Sequence, residues 1–321
     1  MRLKVLIGCI NFNNYTGSEL YYYELAKELV KLNCDVTICS NLAGGDLSHR
    51  ASKLGIKTCS LNEPVGYKLG DGKWLTNQNG HLIVSQPNQL YNVLPFKFDV
   101  LCLSHQPIIN YLINLYPNTP VLSINHSEVI DLENPVIHPQ IKKYVAIRPE
   151  IKDYMVNNFN IPENIIDIVY NPIDCNRFRI KDKEIRDKKR VLFVGSLHDL
   201  REKTILDLIE KTKANNEEFW IVGRNHGLDM NKMLRENSHI KHFNAEWGVE
   251  KYIHQCDETA GVLLGRTTIE SWMCGKPSWI YDIDKYGNIN SKKLYSVPDN
   301  LDRFKSDLVG KEIKEKLLNI I

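Results

Sequence analysis

Residues 265–277 read GRTTIESWMCGKP, which sets a glycine, a cation and two threonines just ahead of a carboxylate, Glu270. The apolar run TAGVLL precedes the segment and SWIYD follows it, so the pattern is strand, tight loop, short helix, strand. Glu270 is expected in the first turn of that helix. There it either faces a ligand at the strand's carboxyl end or simply complements the helix dipole. A second cluster lies in VLFVGSLHDLREKTILDLIE, where Gly195 and Ser196 end a strand and Arg201 and Lys203 come just before the next helix. Either cation could neutralise a diphosphate, or both could belong to a solvated charged turn. Together with Glu270 and the Gly-Arg-Thr-Thr loop, a diphosphate site is the better reading. The first half opens in the same way, with IGCINFNNYTGSELYYYELAKEL. Gly17 and Ser18 begin a long helix there, Ser18 is the expected N-cap, and the N–H groups beyond it attract anions. The tyrosine triplet spans more than one helix face, so at least one of its rings is expected at the surface. Neither half contains G-x-G-x-x-G, which removes most of the case for a nicotinamide or flavin enzyme.

The elements that must hold these loops alternate almost from end to end. In the first half the strand-like runs are LKVLIGCI, DVTICS, GIKTCSL, HLIVS, DVLCLS, PVLSIN, KKYVAI and IIDIVY, with helical patterns at SELYYYELAKELVKL, QPIINYLINLY and RPEIKDYMVNNF. This is the signature of a parallel sheet wrapped by helices. Residues 170–189 are polar and lack a sustained apolar period, which makes them the linker candidate. The alternation then restarts with RVLFVG, EFWIVG, HIKHF, TAGVLL and SWIYD, fades after Tyr286, and ends in the amphipathic DLVGKEIKEKLLNII. The expected fold is α/β with two doubly wound halves: a domain over 1–175, a linker over 176–189 and a domain over 190–321, whose C-terminal helix can pack back on the first. In such sheets ligands bind outside the carboxyl ends of the strands.

The chain's 321 residues exceed the size at which single cores stop growing, roughly 250–300, so two domains agree with its length. Its content, 43% hydrophobic and 25% charged, is that of a globular protein, and no apolar run approaches the ~18 residues of a membrane span. The N-terminal MRLKVLIGCINFNNY reads as a buried first strand, because Asn and Tyr stand where a signal peptide carries small residues. None of the eight cysteines forms a C-x-x-C pair and most sit in strand-like runs, as expected of buried thiols in a reducing, cytoplasmic compartment. A net charge of +2 gives no broad nucleic-acid footprint, although a local basic patch stays open.

In order and spacing, IIDIVYNPIDCNRF, VLFVGSL with its following lysine, EFWIVG and TAGVLLGRTTIESWMCGKPSWIYD resemble retaining glycosyltransferases of the GT-B fold, the group 1 glycosyl transferases. GSEL and LAKELVKLNCDVTICS match the family's first helix and second strand, so the likeness covers most of the chain and is strongest over 165–282. The resemblance implies two Rossmann-like domains facing across a cleft, the second for the nucleotide sugar and the first for the acceptor. It implies that Glu270, matching the second glutamate of the family's paired motif, binds the donor ribose; a carboxylate can accept two hydrogen bonds from a cis-diol. Lys203, or Arg201 in the ungapped alignment, would bind the diphosphate, with backbone N–H groups of Thr267 and Thr268 at the helix N-terminus. His126, in VLSINHSEV, matches a histidine that touches the transferred sugar, and a purely structural histidine stays open there. The partner glutamate's position holds Val262, the arginine usual after Gly195 is replaced by Ser196, and Arg266 is placed to restore part of the lost charge.

Residues 63–91 fit neither half's regular pattern, and Gly-Asp-Gly and Asn-Gly are turn signals. They would display Tyr67, Lys73 and Trp74 on a surface hairpin or, given the resemblance, on an acceptor-binding loop; aromatic rings beside lysines suit a sugar or a nucleobase. The expected activity is transfer of a sugar from a UDP- or GDP-sugar, without metal or other cofactor, to an acceptor hydroxyl. The acceptor is a glycan or lipid-linked saccharide first and a modified nucleobase of nucleic acid second. A nucleotide-sugar epimerase of the same fold and a non-catalytic nucleotide- or glycan-binding protein are the alternatives. No metal is expected at the donor site, so UDP or GDP should raise the melting temperature in the presence of chelator. Saturation at ~100 times the dissociation constant is worth about 2.7 kcal/mol. A thermal shift that disappears with chelator would contradict the metal-independent assignment.

Overall fold

The computed structural model describes residues 2–61, 97–181 and 186–321, with the backbone of two short antiparallel strands, β4 (Tyr67–Lys68) and β5 (Trp74–Leu75). The HLIVS run lies outside the described residues. The chain divides into two compact units. The first is Met1–Asn14, Ser18–Pro172 and Ser306–Ile321; the second is Tyr15–Gly17 and Ile173–Lys305.

The first unit is a seven-stranded sheet in the order β3-β2-β1-β6-β7-β8-β9. The strands are β1 (Lys4–Phe12), β2 (Asp35–Ala43), β3 (Lys57–Ser60), β6 (Val100–Leu103), β7 (Val121–Asn125), β8 (Ile141–Ala146) and β9 (Ile166–Ile168). Every pairing in it is parallel. Helices α1 (Gly17–Lys31), α2 (Gly45–Lys53), α3 (Gln106–Leu115), α4 (Pro149–Phe159) and the C-terminal α9 (Ser306–Asn319) belong to the same unit. Parallel strands covered on both faces need apolar side chains at consecutive positions rather than alternate ones. VLIGC in β1 and all four residues of β6 are buried accordingly. The strand order reverses between β1 and β6, so the loops after these strands diverge and leave a crevice at their carboxyl ends.

The second unit carries six strands in the order β12-β11-β10-β13-β14-β15. In chain order its elements are β10 (Arg190–Val194), α5 (Asp199–Ala214), β11 (Glu218–Val222), α6 (Met230–Glu236), β12 (Ile240–Phe243), α7 (Glu250–His254), β13 (Glu258–Val262), α8 (Arg266–Met273), β14 (Ser278–Ile283) and β15 (Ile289–Tyr295). Its core includes Val191, Phe193, Phe219, Ile221, Ile205 and Leu208. Burying each such side chain contributes about 1.5–3 kcal/mol. The switch point here lies between β10 and β13, the strands that lead into the Gly195 loop and into α8. Part of the 170–189 stretch is packed within this unit. Ile173 and Phe178 are buried, and Arg177 donates to the Trp247 carbonyl (2.6 Å) and to Glu250 (2.8 Å).

Several expectations are corrected. The pattern does not fade after Tyr286: INSKKLY is an antiparallel edge strand on β14. Six of its seven positions are exposed, so it has no apolar run to reveal it. α2 was not foreseen either, since Leu47 and Ala51 are its only buried residues. α1 begins at Gly17, which puts Ser18 inside its first turn rather than at the N-cap. All three tyrosines of the triplet are buried. Tyr21 and Tyr22 pack edge-on against His126, and α9 returns to the first unit so close to α1 that a Cβ on Gly310 would stand 2.5 Å from the Glu28 Cβ. Glu28 is held in turn by Lys31 (2.8 Å) and by the Ser306 hydroxyl (3.2 Å).

Gly310→Ala should therefore overpack this contact and cost about 1–3 kcal/mol. For a unit of this size that lowers the melting temperature by roughly 2–4 °C per kcal/mol. An unchanged melting temperature would show that α9 does not dock against α1 at this distance.

Candidate active site

In the second unit, β10 and β11 end in contact. A Cβ on Gly223 would lie 1.8 Å from the Gly195 carbonyl oxygen, so position 223 requires glycine for close approach. A Cβ on Gly195 would lie 2.1 Å from a guanidinium nitrogen of Arg201, so the arginine head occupies the space that glycine leaves open. That guanidinium donates to the Ser196 carbonyl (3.1 Å) from the first turn of α5. Burial pulls the pKa of Arg201 down to about 10, so it remains a cation at neutral pH. Among the described residues no carboxylate pairs with it. β13 leads into α8 through Leu263, whose φ of 58° is left-handed, and through Gly265, the N-cap residue. The Thr267 hydroxyl donates to the Val194 carbonyl (3.3 Å), which ties the first turn of α8 to the carboxyl end of β10. The buried Thr268 follows it in that turn. Gly195, Ser196, Arg201, Thr267 and Thr268 thus converge on one strand end.

Glu270 is not in the first turn of its helix. α8 starts at Arg266, because the chain turns at Gly265, and this places Glu270 in the second turn. Its carboxylate accepts from the Arg266 Nε (2.7 Å), and both side chains are almost wholly buried. Arg266 therefore neutralises Glu270 within the helix. Lys203 is exposed and donates to the Asn288 Oδ1, in a turn whose Asn288 also bonds Asp284 (2.7 Å). The structure thus sets Arg201 beside Gly195 and Ser196, and Lys203 on the 284–288 turn.

Gly17 opens α1, and a Cβ there would meet nothing. The preceding loop is held by Glu19, which accepts from the Asn14 N–H (3.0 Å) and the Asn13 N–H (3.5 Å). His126 follows β7 directly. Its Nε2 shares a hydrogen bond with the Tyr22 hydroxyl (3.0 Å), and the rings of Tyr21 and Tyr22 meet it edge-on at 4.9 and 5.4 Å. Burial pushes its pKa down to about 4; Glu133 pulls the other way, and His105 and Arg148 add to the fall. Beneath it lies a group the sequence analysis missed. His105 stacks on His126 at 6.1 Å, and its Nε2 lies 3.1 Å from Glu133 Oε1. The one available signal was the polar Ser104-His105 pair set between an apolar strand and the Gln-Pro start of α3. The side chains of Tyr67 and Trp74, and all of Lys73, lie outside the described residues.

The depressed pKa of His126 has a sign in stability. The unfolded imidazole titrates near 6.5 and the folded one near 4, so the unfolded chain binds the proton more readily in between. The stabilisation is complete above about pH 6.5 and is lost as pH falls toward 4. His198, lowered to about 4 mainly by burial and by Arg201, acts in the same direction. Melting temperature should thus fall from pH 7 to pH 4, with a shallower slope in His126→Gln. An identical slope would place the titration elsewhere.

The sequence profile of glycosyltransferase family 4 matches residues 15–177, just over half the chain. No curated protein sequence matches it. Among solved structures, the fold is similar to that of Anabaena Alr3699/HepE in complex with UDP-glucose, with a TM-score of 0.71 at 13% identity over 99% of this chain and 100% of that one. A glycosyltransferase from Rickettsia africae ESF-5 gives a TM-score of 0.63 at 15% identity, covering 99% and 94% of the two chains. The pneumococcal O-GlcNAc transferase GtfA, in complex with UDP and GlcNAc, gives 0.62 at 11%, covering 99% and 94%. These likenesses are of fold, and the fold is GT-B: two Rossmann-like units, as the alternation of strands and helices implied. The family profile covers the half in which the sequence motifs were weaker. This chain belongs to glycosyltransferase family 4.

Proposed function

We propose that this glycosyltransferase is a retaining, metal-independent, cytoplasmic enzyme that moves a sugar from a UDP- or GDP-sugar to an acceptor hydroxyl. The second unit, taken as 190–321, binds the nucleotide, and the first, taken as 1–175, binds the acceptor. The observation that carries the reading is Arg201. It is a half-buried cation at the carboxyl end of β10 that no described carboxylate neutralises, and the Thr267 hydroxyl ties the first turn of α8 to the same strand end. An unpaired charge withdrawn from water is costly. A diphosphate would offset that cost, and its departure is the step such a cation stabilises. Thr267 and Thr268 would add N–H donors. That Anabaena Alr3699/HepE was crystallised with UDP-glucose favours uridine over guanosine. His126 would touch the transferred sugar as a neutral imidazole. Retention rests on the resemblance, which implies front-face attack without a protein nucleophile. Among the described residues no helix is long and apolar enough to cross a membrane. Of the acceptors, a glycan or lipid-linked saccharide is preferred and a nucleobase comes second.

Glu270 would hold the donor ribose. Glu270→Gln breaks a buried ion pair and therefore loses stability whatever else it does. Nucleotide affinity is the discriminating readout. Loss of a hydrogen bond to a charged group is worth about 1.5–3 kcal/mol, or roughly 10- to 150-fold in dissociation constant. Titration of wild type and Glu270→Gln with UDP and GDP should show that loss, and equal affinities would remove Glu270 from the donor site. With a panel of nucleotide sugars and candidate acceptors, transfer supports the reading. A donor converted to its epimer would point to an epimerase, and nucleotide binding without turnover would point to a binding protein.

A further inference from the structure

The carboxyl ends of β1, β6 and β7 lie side by side in the first unit, and one buried side chain joins all three. Glu133 sits in a 3-10 turn, Asp131–Glu133, and is 6% exposed. Its Oε2 accepts from the backbone N–H of His126 (3.3 Å), just past β7, and its Oε1 faces the His105 Nε2 (3.1 Å), just past β6. His105 reaches β1, where the Ile10 N–H donates to its Nδ1 (3.2 Å). The Ser104 hydroxyl lies 2.7 Å from the same nitrogen. The Glu133 main chain is fixed as well: its carbonyl accepts from the Asn125 side chain (2.7 Å).

These bonds determine one another. Because Nδ1 of His105 accepts from a main-chain donor, the ring proton is on Nε2, directed at Glu133. Two donors, Nε2–H of His105 and N–H of His126, therefore converge on one side chain. Only a group that accepts at both oxygens satisfies both, and that group is a carboxylate. Burial raises the pKa of Glu133, but His105 and His126 more than offset this and hold it below the usual glutamate value. The arrangement carries strain: His105 has φ 64° and ψ 117° at the start of α3, a region that side chains other than glycine rarely enter. Strain and a buried charge together are seldom retained for stability alone.

We infer that Glu133 is a positioning residue for sugar transfer: it fixes His126 from beneath, directly through the His126 backbone and indirectly through the His105 ring stacked on the His126 ring. This rests on the reading that His126 touches the transferred sugar. A glutamine cannot replace the carboxylate, since its NH2 group would face one of the two donors.

The test is a double-mutant cycle of Glu133→Gln and His126→Ala, read in kcat and KM for UDP release from UDP-glucose and in UDP affinity. Glu133→Gln alone should lower kcat on the order of 100-fold, as a misplaced contact does, and leave UDP affinity unchanged. In the His126→Ala background it should cost nothing further. Equal losses in both backgrounds, or no loss in either, would overturn the inference while leaving His126 its role. A silent His126→Ala would instead overturn the reading of His126. Nitrogen NMR of the His126 ring gives an answer that needs no turnover: its resonances should shift or broaden in Glu133→Gln, and unmoved resonances would overturn the inference. If Glu133→Gln does not fold, His105→Asn breaks the same anchor, because asparagine tolerates positive φ and cannot reach Glu133; the same coupling to His126 is expected.

Discussion

The second unit is organised around a backbone collision that only glycine avoids. The Gly195 carbonyl occupies the space where a side chain at 223 would begin, so β10 and β11 close on one another at their carboxyl ends. With no side chain at 195, the Arg201 guanidinium can lie over that position and bond the Ser196 carbonyl. The cation is thereby fixed at the switch point of the sheet, where β13 delivers the start of α8. Remove the close approach and Arg201 has no seat. The same guanidinium would then swing toward water, where a cation binds phosphate weakly because solvent screens it.

Each unit also holds a buried carboxylate near its strand ends, and the two are neutralised differently. Glu270 has a full countercharge from Arg266 one helical turn away. The pair adds little net field, and Arg266 does not restore the arginine charge missing at Ser196, which leaves Arg201 as the dominant cation of the second unit's candidate site. Glu133 meets an imidazole whose ring proton it shares as a hydrogen bond, together with a backbone N–H. Its role depends on geometry, since it accepts from two donors that belong to different strand ends.

Much of this was legible in the sequence, for identifiable reasons. Strands buried on both faces announce themselves as apolar runs, and the loops that carry chemistry follow them, which is why Gly195, Thr267 and His126 could be placed without coordinates. β15 was illegible because an exposed edge strand such as INSKKLY has no apolar face to read. The tyrosine triplet was misjudged because His126, which Tyr21 and Tyr22 pack against, is distant in sequence. Glu270 and Arg266 stand four residues apart, a spacing that makes partners once both are on a helix. The arginine was assigned to the loop, and the pairing was lost with that error in the helix start. Glu133 could not be found by pattern at all, since His105 and His126 become its neighbours only when β6 and β7 pair.

Val262, at the end of β13, and Ser196, in the loop after β10, stand where the resembled family has polar groups, yet the Arg201 seat depends on backbone and glycine rather than on those side chains. A site whose key cation is held by main-chain carbonyls and glycine contacts can lose side-chain partners and keep its charge in place. The first unit is built the opposite way. His126 depends on a side-chain carboxylate that no other residue type can imitate, above a histidine held in a strained backbone. Variation in the nucleotide-binding loops should therefore alter which donor is accepted. Variation at Glu133 or His105 should remove turnover while nucleotide binding, proposed for the other unit, stays intact.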